Sequence, residues 1–144
     1  MHQTDTCQLL KECNNGIKMA VDAIQEVLPN VKNEKLRNRL TECEREHEKL
    51  GNDTHSLLLK HHAQDEEPSM IAKGMSWIKT NLKMSVDPGD DTIANLMSTG
   101  CDMGVRTLNK YLNEYKNASA EAKALVRKVI HLEENLSVDM RAYL

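Results

Sequence analysis

The sequence predicts an all-α fold: a four-helix bundle in two antiparallel hairpins, with a fifth, shorter helix between them. Three observations carry this. Apolar residues recur at alternating spacings of three and four in four long segments, the period of a helix face turned to a core. Helix caps and breakers fall between those segments. No stretch alternates with period two for long enough to make a strand. At 144 residues the chain is one domain, spanning 1–144, with enough length for a real core.

The first segment opens on the candidate caps Thr4-Asp5-Thr6, continues through Leu9, Leu10, Cys13, Ile17, Ala20, Ile24, Val27 and Leu28, and ends at Pro29-Asn30. Gly16 lies within this stripe and suggests close approach by a neighbouring helix. The second segment, Asn33–His62, organises the rest. Its inner face reads Leu36, Leu40, Cys43, His47, Leu50, Thr54, Leu57 and His61, apolar at both ends and ionisable in the middle. Asn33 is its N-cap, and Gly51-Asn52-Asp53 weakens the helix without ending it.

Gln64–Pro68 is an acidic break. Ser69–Val86 then shows two apolar faces, one with Ile71, Met75, Ile78 and Leu82 and the other with Met70, Trp77 and Met84, the face expected at a partner or dimer interface. Asp87–Asp91 is a turn and helix start. The next stripe runs Ile93, Met97, Gly100, Cys101, Gly104, Leu108, Tyr111, Leu112 and Tyr115. Ser119 caps the last helix, which turns Ala122, Val126, Val129, Glu133, Leu136 and Met140 inward.

Short breaks at Pro29–Lys32 and Asn117–Ser119 make the two hairpins. A Ser69–Val86 helix would be about 27 Å long, the reach of a crossover that sets the second and fourth predicted helices parallel. Counted from the helix ends, Cys13, Cys43, Glu44, His47, Cys101 and Glu133 then fall within roughly two turns of one height. Thiolate, imidazole and carboxylate are ligands of zinc and iron, so this layer is the candidate metal site. Its competing readings are a buried polar cluster, with His47 hydrogen-bonded to Glu133, and a redox thiol pair.

Composition excludes several classes. The net charge of −3, with basic and acidic residues interleaved, argues against a nucleic-acid partner. No run approaches the roughly 20 apolar residues of a membrane span, and the first residues carry no signal-peptide pattern. Four cysteines in this setting read as reduced thiols, which places the expected location in the cytoplasm. With no Phe and eight Met, the core is aliphatic and plastic. There is no phosphate loop, nucleophile elbow or Cys-x-x-Cys.

The two hairpins, Trp77 in Gly74-Met-Ser-Trp77-Ile and Tyr111 in Thr107-Leu-Asn-Lys-Tyr111 resemble the ferritin-like superfamily. More narrowly, Leu9 to Leu144 is similar to a bacterial family of ferritin-like four-helix-bundle proteins of unknown function. The leading expectation is a non-catalytic, self-associating bundle. The resemblance does not carry over di-iron chemistry, which takes a Glu on each of two helices and Glu-x-x-His on each of the others. Glu44-x-x-His47 matches one such motif, but His131-Leu-Glu-Glu134 reverses the order, and Cys13 and Cys101 stand where carboxylates are required. No cofactor is expected. The alternatives are an iron or zinc site from Glu44, His47 and Glu133 with Cys13, Cys43 or Cys101, and a helical adaptor that holds a protein partner.

Overall fold

A computed structural model of the chain describes residues 4–61, 81–82 and 88–144, all of whose long elements are helices. They are α1 (Asp5–Val27), α2 (Glu34–Lys60), α3 (Asp90–Glu114) and α4 (Ala120–Met140). Short 3-10 turns follow α1 at Leu28–Asn30 and α4 at Arg141–Tyr143. The expected Ser69–Val86 helix, with Met70, Trp77 and Met84, lies outside the described residues except at Asn81 and Leu82, which are helical.

The caps are those the sequence provides. Thr4 accepts a hydrogen bond from the Cys7 amide, Asn33 from Lys35 and Leu36, and Ser119 from Ala122, each satisfying N–H groups that a helix start leaves unpaired. Gly89 caps α3 with no side chain of its own. Asp90 instead reaches across, its two carboxylate oxygens accepting from the Lys32 and Asn33 amides at 2.9 Å each. That clamp sets the starts of α2 and α3 side by side. At the opposite end Asp5 accepts from the Asn117 amide and Thr6 Oγ1 from the Ser119 amide, which joins the start of α1 to the α3–α4 turn.

These clamps define the winding. α1 and α4 run one way, α2 and α3 the other, and every adjacent pair (α1–α2, α3–α4, α1–α3, α2–α4) is antiparallel. α2 therefore ends at the opposite end of the bundle from the start of α3.

The core divides into two apolar clusters. One gathers Ile24, Leu36, Leu40, Ile93, Met97, Leu136 and Met140, with Leu82 joining it. The other gathers Leu9, Leu10, Ile17, Leu57, Leu58, Val126 and Val129. Each fully buried aliphatic side chain contributes about 1.5–3 kcal/mol. Between the clusters, on α2 and α4, sit His47 and Glu133, both buried.

Three expectations need correcting. His61 is exposed, because α2 ends at Lys60. Ala20 and Leu28 are only half-buried, and Ala20 lines a pocket instead of meeting another helix. Gly16 is not the tight glycine. A Cβ there would meet only Leu108 Cδ2, at 3.8 Å, whereas one on Gly51 would stand 3.2 Å from Ile17 Cγ2.

Candidate functional site

The polar layer is built from α2, α3 and α4. His47 is fully buried, and both ring nitrogens have partners: Nδ1 lies 2.8 Å from the Cys43 carbonyl and Nε2 2.8 Å from Glu133 Oε1. A carbonyl and a carboxylate only accept, so both nitrogens donate and the ring is an imidazolium paired with Glu133. Burial alone would lower the pKa of His47. The hydrogen bonds to Cys43 and Glu133 and the Glu133 charge outweigh it and raise the value to about 10. Cys43 Sγ lies 3.3 Å from the same Nδ1.

Glu133 is shared. Cys101 of α3 also hydrogen-bonds it, and burial, with the Glu133 charge and that hydrogen bond, pushes the Cys101 thiol pKa up. A protonated thiol is a poor nucleophile and a poor metal ligand.

Cys13 is a correction. It hydrogen-bonds Thr54, whose own hydroxyl donates to the Leu50 carbonyl at 2.8 Å. Thr54 stands two turns beyond His47 on α2, about 10 Å along the axis at 1.5 Å per residue. The height count set Cys13 level with the region just after His47, and its hydrogen bond to Thr54 places it further along α2. Burial raises the Cys13 thiol to about 12. Glu44 is half-buried and is not part of the His47–Glu133 network. The structure thus brings together Cys43, His47, Cys101 and Glu133, and separates Cys13 and Glu44 from them. Among the described residues no group of three or more His, Cys, Asp or Glu is arranged to hold a metal ion. All four cysteines are free thiols.

Sequence reasoning missed what lies above this layer. A pocket of about 420 Å³ runs between α1 and α3, with His47, Cys101 and Glu133 at its base. Small residues make it: Gly16, Ala20 and Ala23 on α1, Gly100 and Gly104 on α3. Among the described residues nothing would lie within 4 Å of a Cβ on Gly100, and one on Gly104 would meet only Glu133, at 3.8 Å. Apolar walls come from Met19, Ile24, Leu96, Met97 and Leu108, and the exposed Met103 and Thr107 mark where it opens to solvent. At one end the Tyr111 hydroxyl donates to the Glu12 carboxylate; burial, with the Glu12 charge and hydrogen bond, pushes the phenol up to about 12. The usable signal was the recurrence of Gly and Ala on facing stripes, which reads as close helix packing until the helices are seen standing apart.

Compared with protein-family models, curated proteins and solved structures, the chain matches none of them.

Proposed function

We propose that this protein is a non-catalytic small-molecule-binding bundle of ferritin-like winding, and that its ligand occupies the α1–α3 pocket. The carrying observation is a concavity of about 420 Å³, apolar on its walls and polar at its base. That is the size and character of ligand sites, and facing helices are where bundles place them. The antiparallel hairpins, with α2 parallel to α3, support the ferritin-like winding. A non-catalytic role is supported by the base of the pocket, where His47 is paired through both ring nitrogens and burial raises the Cys101 thiol. Neither is a ready base or nucleophile.

The test is calorimetric titration with 1-octanol, a neutral apolar probe. Ala20→Phe fills the pocket from α1 and is expected to weaken binding by at least about tenfold, with helicity by circular dichroism unchanged. Equal affinity in the two proteins would remove the pocket as the site.

Iron or zinc on Cys43, His47, Cys101 and Glu133 is the second reading, favoured by the donor types and by Nδ1 anchored on a carbonyl, the outer-shell bond of many metal-binding histidines. Against it, a metal has to displace a proton held to about pH 10. Metal analysis of protein purified anaerobically without chelator decides between them. Stoichiometric metal that His47→Ala removes would establish the second reading.

A further inference from the structure

Resting on that pocket as a ligand site, we infer that its ligand is an apolar amine, held as its ammonium at the Glu12–Tyr111 end with its hydrocarbon body along the α1–α3 walls. The charges of the lining carry this. Among the described lining residues, two carboxylates, Glu12 and Glu133, face one imidazolium, His47, and there is neither Lys nor Arg. The described lining is therefore net negative. Glu133 is already matched by His47 at 2.8 Å. Glu12 is the lining carboxylate that no lining cation matches, and its partner in the pocket is the neutral Tyr111 hydroxyl.

A molecule filling the pocket strips water from that end, which leaves the Glu12 charge costly unless the ligand supplies hydrogen-bond donors. An ammonium supplies three and a compensating charge, and the face of the Tyr111 ring adds a cation–π surface. Tyr111 is held in place by stacking on Tyr115, ring centroids 6.0 Å apart and planes 14° from parallel. A carboxylate ligand of the same shape would bring a second anion against Glu12, with no lysine or arginine among the described lining residues to offset it. An alcohol would lie between the two.

The experiment compares octylamine, 1-octanol and octanoate by calorimetric titration of the full chain near neutral pH. Octylamine is expected to bind at least about tenfold tighter than octanoate, with 1-octanol between them. Glu12→Gln, nearly isosteric and on a half-buried surface, is expected to erase the preference of amine over alcohol while leaving 1-octanol affinity intact. Binding of all three probes with equal strength, or of octanoate best, would overturn the amine inference and leave the pocket standing as a ligand site. Failure of all three to bind would overturn both. An amine preference unchanged in Glu12→Gln would also overturn the inference, since it would move recognition to another group.

Discussion

The seams α2–α4 and α1–α3 are both antiparallel helix pairs of one bundle, yet one is shut and the other open. Across α2–α4, Arg39 Nε meets Asp139 at 2.6 Å and, deeper, His47 meets Glu133 at 2.8 Å. Across α1–α3, glycines and alanines stand where long side chains would interlock, and a pocket remains. The difference teaches how one polar pair can both hold a seam and line a pocket. The His47–Glu133 pair closes one seam from behind while forming the base of the other. Its cost in desolvation is offset by full hydrogen bonding, and its position is why a small bundle keeps charge at mid-core.

The largest effect comes from breaking the closed seam at its centre. Glu133→Ala leaves a buried imidazolium unpaired and is expected to cost about 3–5 kcal/mol in urea unfolding, a large part of the roughly 5–15 kcal/mol such a domain holds. Replacing both partners, His47→Leu with Glu133→Leu, should recover most of that loss, since an apolar pair leaves no orphan charge. A double variant as weak as the single one would show that the charge is not the cause.

Next in size is pH. The folded-state pKa of His47, about 10, lies above its ordinary 6.5. The unfolded chain therefore loses this proton first as pH rises. The pair's stabilisation is complete below pH 6.5 and is lost towards pH 10, with a slope of at most about 1.4 kcal/mol per pH unit. The buried thiols of Cys13 and Cys101 push in the same direction, but only above their ordinary value of 9.0. Unfolding followed between pH 6.5 and 9 isolates His47, and His47→Gln should flatten the slope there.

Smaller effects contrast open space with filled space. Gly100→Ala should stabilise α3 by about 0.5–1 kcal/mol, because the new methyl enters open space. Gly51→Ala should gain less or lose, because its methyl meets Ile17 Cγ2 at 3.2 Å. Paired thermal melts read the difference. Smallest is Asp139→Asn, which weakens the half-exposed Arg39 pair at the rim of the closed seam by about half a kcal/mol.

Much of this was legible in the residues. Caps at Asn33 and Ser119 and the inward stripe Ala122–Met140 follow from local rules that tertiary packing did not override. The His47–Glu133 bond was legible as one reading of the polar layer, since two ionisable groups on core faces at one height need each other. Cys13 was set too near His47 because counting residues along two helices does not fix how far one is staggered against the other, and its partner is Thr54. The pocket was illegible for a different reason. Glycine and alanine on facing stripes are equally consistent with helices in contact and helices apart, and spacing along one chain does not report the distance between two.

The most direct test is methyl NMR on protein carrying carbon-13 at its methionine methyls. Met19, Met97 and Met103 line the pocket, whereas Met140 is fully buried outside it and serves as an internal reference. Titration with octylamine is expected to move the three pocket methyls together, with one dissociation constant, and to leave Met140 still. Pocket methyls that stay in place at saturating probe, or a Met140 that moves with them, would contradict the account.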